Sequence, residues 1–193
     1  MSVVEAAPVP DTAVADHHMS ERRHARERVV ATVLFTDIVG SVTRAWELGD
    51  RAWCDLQERH EALVRFELAR HEGQELDTSG DGFFATFDAP GRGIACACAI
   101  TERVRSLGLE TRAGLHVGEL EQRQLKVSGV AVLIGARIAA RARASEVLVS
   151  RTVKEVVTGS GICFKDRGAH TLRGLPGRWR LFAVDHGVDR ASI

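Results

Sequence analysis

The stretch VVATVLF at positions 29–35, followed by TDIVGS at 36–41, decides the fold. The first part is a β-branched, apolar run of the kind found in central strands that are buried on both faces. The second part ends the strand with a carboxylate, Asp37, and a glycine turn. Such a turn leaves backbone N–H groups free near the start of the next helix, which suits a phosphate beside a metal ion.

The remaining patterns predict an alternation of helices and strands. They indicate a long helix over 42–71 that Gly49-Asp50 can divide, strands at 74–78 and 83–87 joined tightly through SGDG, an Ala-rich helix over 89–107, a strand at 111–117 that 119–127 extends or pairs with, a helix over 130–143, a short strand at 146–149, a short helix over 152–158, and strand-like pieces at 162–164, 170–172 and 179–184. This order predicts an α+β protein with a ferredoxin-like βαββαβ core and a C-terminal α/β extension.

Composition narrows the class of protein further. A chain of 193 residues with 26 basic and 26 acidic side chains has no net charge, so neither nucleic acid nor an anionic membrane is expected as a partner. The aromatic strand of ferredoxin-like RNA-binding modules is also absent. The longest apolar stretches are strand-sized, and the N-terminus lacks the pattern of a signal peptide. We expect a disordered leader or linker over 1–27, one domain over 28–186, a tail over 187–193, and a cytoplasmic location.

The four cysteines do not match a metal or disulfide framework. Cys96 and Cys98 are two residues apart in a predicted helix and therefore point to different faces, and Cys54 and Cys163 are isolated in the sequence. We predict that all four are buried, reduced thiols that pack as small apolar groups.

Two carboxylates stand out as candidate metal ligands. Asp37 follows the central strand, and Asp81 lies in the tight SGDG connection. If the two strands are neighbours, the carboxylates meet, and such a pair can hold two divalent ions about 3.5–4 Å apart for in-line phosphoryl chemistry. Taken singly, each has a simpler explanation, since Asp37 can cap a helix and Asp81 is a common turn residue.

From about residue 28 to residue 184 the chain resembles the class III adenylate and guanylate cyclases. The matching stretches are VLFTDIVGS at 33–41, TSGDGFFATF at 78–87, AGLHVGE at 113–119, GVAV at 129–132, ARIA at 136–139 and DRG at 166–168. They occur in the order and spacing of the family. The resemblance implies a nucleotide cyclase that converts ATP or GTP to the 3′,5′-cyclic monophosphate and pyrophosphate.

The resemblance also implies site residues, cofactors and a partner. Two Mg²⁺ or Mn²⁺ ions would be held by Asp37, Asp81 and the carbonyl of Ile38. A homodimer would place its active sites at the interface, where Arg137 of one chain stabilises charge on the α-phosphate bound by the other. The expected substrate-binding residues are Asp77, Lys126, Leu133, Arg173, Phe35, Thr36, Val39, Gly40 and Ser41. Arg173 stands where the family usually has a triphosphate-binding lysine, so positive charge is retained.

The residues expected to recognise the base depart from the adenylate cyclase pattern. Asp77 occupies the position of a lysine that reads adenine N1, and Lys126 the position of an aspartate that accepts from adenine N6. Guanine offers a donor at N1 and an acceptor at O6, so the inverted pair fits guanine. The alternative is that Asp77 and Lys126 form their own salt bridge and read no base.

A third departure concerns the ribose. Leu133 replaces the Asn or His that helps to position the sugar, and loss of that group can cost about 10²-fold in rate through poor orientation. Two functions therefore stay open: an active cyclase, whose weak half-site a heterodimer with a second cyclase chain would compensate, or a degenerate regulatory domain that binds metal-nucleotide and dimerises without turnover.

Overall fold

The computed structural model describes residues 27–123 and 126–185, without the side chains of Ser79, Arg123 and Lys126. The expected leader and tail lie outside these residues, except that Glu27 already belongs to the first strand.

The described chain forms eight strands and five α-helices. In chain order these are β1 (Glu27–Ile38), α1 (Ser41–Leu48), α2 (Asp50–Arg70), β2 (Gln74–Ser79), β3 (Gly82–Phe87), α3 (Pro90–Arg103) with a 3-10 turn over Val104–Leu107, β4 (Thr111–Arg123), β5 (Lys126–Ser128), α4 (Val130–Ala139), β6 (Val147–Ser150), α5 (Arg151–Val156), β7 (Phe164–His170) and β8 (Trp179–Val184).

One mixed sheet connects all the strands in the order β2-β3-β1-β4-β6-β8-β7, with β5 paired to β4. The first four positions are those of a ferredoxin-like βαββαβ core, and β6, α5, β7 and β8 extend it. β4 and β6 run parallel, and the other pairs are antiparallel. The predicted α+β class and its architecture are confirmed.

Helices cover both faces of the sheet, as the apolar sequence of β1 predicts. On one face α2 and α3 bury the largest apolar cluster, which includes Leu34 and Ile38 of β1. On the other face α4 covers β1 and β4, where Val33 is fully buried. Successive residues of a strand point to opposite faces, so Val33 and Phe35 share the α4 face with Asp37.

Glycines allow α4 to approach the sheet closely. A Cβ atom on Gly114 of β4 would lie 2.1 Å from the backbone nitrogen of Ala139, and one on Gly135 of α4 would lie 2.6 Å from Val33 Cγ2. Neither position has room for a larger residue. The backbone of the strand therefore contacts the helix directly and fixes the helix that carries Leu133 and Arg137.

Most element boundaries agree with the sequence-based predictions, and three differences have physical reasons. The long helix divides at Gly49, whose φ of 75° ends α1. Helix α4 stops at Ala139 rather than at residue 143 because the next amides turn tightly, with Arg141 N–H donating to Ile138 O at 2.9 Å. The strands predicted at 162–164 and 170–172 are wrong: one strand, β7, lies between them, because its mostly exposed polar residues form a sheet edge that hydrophobic patterning does not reveal.

The cysteine prediction is only partly correct. Cys96 is buried and Cys98 is partly buried, and burial raises the pKa of each thiol to about 12, so both stay protonated and unreactive. Cys54 and Cys163 are instead exposed. All four are free thiols.

Across residues 27–123 and 126–185, no helix has the length and apolarity needed to cross a bilayer.

Candidate active site

The two candidate metal ligands lie side by side at one end of the sheet. β1 pairs with β3 so that Asp37 stands opposite Gly82, the residue that follows Asp81. The Asp81 turn is tight because Gly80 adopts a φ of 62°, which glycine accepts without strain. The expectation that the two strands are neighbours is confirmed, so Asp37 and Asp81 lie at the same end of the paired strands.

The donor set of this edge suits a hard divalent cation. Carboxylate and carbonyl oxygens are the ligands that Mg²⁺ and Mn²⁺ prefer. Ile38 has a hydrocarbon side chain that packs in the core, so the backbone carbonyl is the one atom through which it would bind a metal. No group of three or more His, Cys, Asp or Glu side chains gathers anywhere in the described part of the chain. A metal here would therefore depend on Asp37, Asp81, the Ile38 carbonyl and oxygens of a bound phosphate.

Arg112 is a residue of this site that the sequence analysis missed. It stands opposite Asp37 on β4, and its Nε donates to Asp37 Oδ2 at 2.9 Å, with a second, shorter contact from the same guanidinium. Both side chains are about one-third exposed. The register of β1 against β4 places Arg112 next to Asp37, and no local sequence motif predicts that register.

The sequence predicts free backbone N–H groups in the turn after β1, and the structure agrees with this only in part. Gly40 adopts a φ of 70° and caps α1 without any side-chain hydrogen bond. The N–H of Val39, however, donates to Glu110 O at 2.8 Å, so it is not free for a phosphate. Thr36 is 3% exposed on the face opposite Asp37, so its hydroxyl is not available to a ligand at the Asp37 face. Gly40 and Ser41 remain the amides placed for an anion.

Helix α2 supports the Asp81 hairpin from behind. His60 is 1% exposed and packs edge-on against Phe83, with 5.9 Å between ring centroids. Arg65 lies over the same ring, 5.5 Å from its centroid, and also binds Glu75 of β2 through Nε at 3.0 Å. Burial lowers the pKa of His60 to about 4, although the negative charges of Glu61 and Asp81 act in the opposite direction. His60 is therefore neutral at physiological pH.

Asp77 lies beside an aromatic pair that forms a flat surface. It pairs across the hairpin with Phe84, and Phe84 stacks on Phe35 with ring centroids 4.5 Å apart and planes 1° apart. Cross-strand partners share a face, so the three side chains lie on the same side of the sheet as Asp37. Asp77 is exposed, and both rings are half-buried. The backbone of Lys126 pairs with Arg123 in the β4–β5 hairpin, but its side chain lies outside the described atoms.

Arg137 on α4 contacts the loop between β7 and β8, which carries Arg173. Arg137 Nε donates to the backbone carbonyl of Arg173 at 3.1 Å, and both side chains are exposed. Leu172 is 1% exposed and packs against α4, which anchors the loop that carries Arg173. Leu133 is 54% exposed, one helical turn before Arg137 and on the same side of α4.

The candidate residues thus form two groups within one chain. The first holds Asp37, Asp81 and Arg112, and the second holds Leu133, Arg137 and Arg173. Between residues 27 and 185, leaving out 124–125, no hydrogen bond or ion pair joins the two groups.

Comparisons with known proteins place this geometry in a wider context. No protein-family model matches the chain. Over 150 residues it is 28% identical to an uncharacterized protein of Mycobacterium tuberculosis, covering 75% of this chain and 52% of that protein. The chain thus spans about half the length of this curated relative.

Solved structures give the clearer likeness. The adenylyl cyclase CyaB from P. aeruginosa superposes with a TM-score of 0.77 at 19% identity, over 83% of this chain and 96% of that one. An atypical dimeric guanylyl cyclase domain from the fungus Blastocladiella emersonii gives 0.73 at 15% identity, over 82% and 97%. The chain has the fold of the class III adenylyl and guanylyl cyclase catalytic domains.

Proposed function

We propose that this chain is a nucleotide cyclase that converts a nucleoside triphosphate to its 3′,5′-cyclic monophosphate and pyrophosphate. The observation that carries the proposal is the pairing of Asp37 opposite Gly82. Because of this pairing, Asp37 and Asp81 lie at the same end of β1 and β3, next to the glycine turn that precedes α1. The reaction forms a bond between the 3′-oxygen and the α-phosphorus and breaks the bond from the α-phosphorus to pyrophosphate.

Asp37, Asp81 and the Ile38 carbonyl would hold two Mg²⁺ or Mn²⁺ ions. Bound there, the ions would polarise the α-phosphate and lower the pKa of the 3′-hydroxyl. Asp37 lies near the end of β1 and Asp81 in the turn that leads into β3, and direct pairing of β1 with β3 would hold the two ligands in the fixed placement that in-line attack requires. Free amides at the start of α1 favour the negative charge of the triphosphate.

Three arginines supply positive charge for the polyphosphate and for the transition state. Arg112 lies on the Asp37 carboxylate, and Arg137 and Arg173 are joined through a backbone hydrogen bond. Arg137 would stabilise the charge that builds on the α-phosphate, and Arg173 would bind the β- and γ-phosphates. Fixed charges of this kind typically contribute about 3–4 kcal/mol of transition-state stabilisation each.

The resemblance to the cyclase family supports a dimer as the active form, with each active site divided between two chains. Asp37 and Asp81 of one chain would work with Arg137 and Arg173 of a second copy. The B. emersonii domain is named as dimeric, which makes a similar association of this chain reasonable. A half-site weakened by Leu133 would be improved by a heterodimer with a second cyclase chain.

The face that carries Asp77 would receive the purine. The stacked rings of Phe35 and Phe84 offer an aromatic surface beside Asp77, and base–aromatic stacking is worth about 1–3 kcal/mol. Asp77 is an acceptor, so it would accept from guanine N1–H and would repel adenine N1. The proposal therefore favours GTP, with Lys126 donating to guanine O6.

The test is product formation from ATP and from GTP, each with Mn²⁺, followed by chromatography of the nucleotide and an assay for pyrophosphate. The expected result is equimolar cyclic nucleotide and pyrophosphate, faster from GTP, and loss of both products in Asp37→Asn and Asp81→Asn. Tight binding of Mn²⁺-nucleotide without product would contradict the enzyme and would support a regulatory domain instead.

A further inference from the structure

His60 is a buried polar side chain whose role the fold alone does not explain. It is 1% exposed, and its Nε2 atom has no hydrogen-bond partner among the described residues. Buried polar groups in folded proteins are nearly always hydrogen-bonded, and an orphan costs about 1–3 kcal/mol. An apolar residue would fill the same space against Phe83 at lower cost. The imidazole therefore requires a reason beyond packing.

The surroundings of His60 point to the Asp81 hairpin. The ring contacts Phe83, which follows Asp81 by two residues, and the Asp81 carboxylate is close enough for its charge to act on the imidazole. Glu61 is the other acidic group that acts on His60, but it already accepts from Arg65 at 2.8 Å. Asp81, in contrast, accepts no hydrogen bond from any described residue, so its carboxylate has the capacity to accept from Nε2–H.

The two carboxylates of the site also differ in the hydrogen bonds that they accept. Asp37 accepts two hydrogen bonds from Arg112 on β4. Asp81 lies at the opposite side of the pair, where α2 is the element packed behind its hairpin. A donor from α2 would hold Asp81 as Arg112 holds Asp37, and His60 is the buried donor that α2 offers there.

We propose that His60 is a positioning residue for Asp81, whose Nε2–H donates to the Asp81 carboxylate when that carboxylate holds a divalent ion. The inference rests on the proposed function of this site. Ligating carboxylates are commonly oriented by a second hydrogen-bond donor, and loss of such a donor weakens metal binding by about 10–100-fold. His60 acts on the metal through Asp81 and touches neither substrate nor metal itself.

The experiment compares His60→Gln with His60→Met, because the two side chains have similar length and only glutamine keeps an N–H donor. Mn²⁺ affinity is measured from the electron paramagnetic resonance signal of free Mn²⁺, first without nucleotide and then with a non-cyclising GTP analogue. The Mn²⁺ that the analogue binds by itself is subtracted, and thermal unfolding is measured in parallel. We expect His60→Met to weaken Mn²⁺ binding about tenfold or more. His60→Gln should restore affinity to within about threefold of the unmodified chain, although packing against Phe83 changes equally in both. His60→Leu replaces His60→Met if the latter does not fold.

His116 provides the matched control. It is also buried, with a pKa lowered by burial to about 4, but it lies on β4 rather than on α2, and its Nδ1 is hydrogen-bonded with Ser150 Oγ at 2.8 Å. His116→Met should leave Mn²⁺ affinity unchanged. Equal Mn²⁺ affinity in His60→Met and His60→Gln, with normal binding by the unmodified chain, would overturn this inference alone. Absence of Mn²⁺ binding by the unmodified chain, both alone and with the non-cyclising GTP analogue, would overturn the proposed function and this inference together.

Discussion

Asp37 is held by the guanidinium of Arg112, so a divalent ion must compete with an arginine for the same carboxylate. Partly exposed ion pairs are worth about 0.2–1 kcal/mol, which corresponds to a change of up to about fivefold in affinity. We expect Arg112→Gln to strengthen Mn²⁺ binding by about two- to fivefold in the absence of nucleotide. Titration calorimetry measures the effect directly.

The control for this prediction is Arg92→Gln. Arg92 is similarly exposed and pairs with Glu72 and Asp88, beside the start of β1 and the end of β4, which are the strand ends opposite Asp37 and Arg112. It should leave Mn²⁺ affinity unchanged. Unchanged or weaker binding in Arg112→Gln would show that Arg112 does not compete for Asp37.

The base preference depends on Asp77 and Lys126. The double change Asp77→Lys with Lys126→Asp should shift binding from GTP towards ATP, because each matched polar contact is worth about 1–3 kcal/mol against a buried mismatch. Each single variant should bind worse than the double variant, since it leaves two like charges at one base site. Affinities for non-cyclising ATP and GTP analogues separate this question from turnover. Equal affinities in the unmodified chain would instead favour a salt bridge between the two residues.

Helix α4 carries Leu133 and Arg137, and its position depends on the missing side chain of Gly114. Gly114→Ala would place a Cβ 2.1 Å from the Ala139 backbone, so the helix must move. We expect a loss of about 1–3 kcal/mol in the free energy of unfolding, typical of overpacking, together with loss of cyclase activity through displacement of Arg137. Denaturant unfolding measures the first effect.

Gly91 offers the matched substitution in another helix. It lies in α3 with no atom within 4 Å of an added Cβ, and its φ is not in the left-handed region. Gly91→Ala should be neutral or stabilise the fold by about 0.4–1 kcal/mol. Equal stability of both alanine variants would mean that α4 does not depend on close contact with β4.

At the level of helices and strands, the sequence predicted those elements whose limits are determined by residues close together in the chain. The apolar run at 29–35 identified β1, the glycine at 49 divided the first helix, and SGDG identified the β2–β3 hairpin. The edge strand β7 was missed because its polar residues carry no alternating pattern. Arg112 and Phe84 were missed as site residues for a different reason. Each joins the site through cross-strand register, with Asp37 and Phe35 respectively, and register is a property of the sheet.

At the level of the whole molecule, the important feature is that the Asp37 group and the Arg137 group belong to different parts of the fold. Asp37 and Asp81 belong to the ferredoxin-like core, whereas the Arg173 loop belongs to the C-terminal extension and meets α4 through Leu172. The resemblance in sequence implies the roles proposed for these residues. In the described residues Arg112 contacts Asp37, and Arg137 contacts the Arg173 backbone. An active site shared between two chains is the arrangement that we propose for these groups.

The most direct test of a cyclase with shared active sites is complementation between two inactive variants. Asp37→Asn and Arg137→Ala chains, each inactive alone, are mixed under conditions that exchange subunits, and cyclic nucleotide is measured with Mn²⁺ and GTP. A mixed dimer should contain one site with an intact Asp37 from one chain and an intact Arg137 from the other, so activity should return to about one-quarter of that of the unmodified chain, since about half of the dimers are mixed and each has one of its two sites intact. No recovered activity, with mixed dimers confirmed by mass spectrometry and an active unmodified chain, would contradict the account.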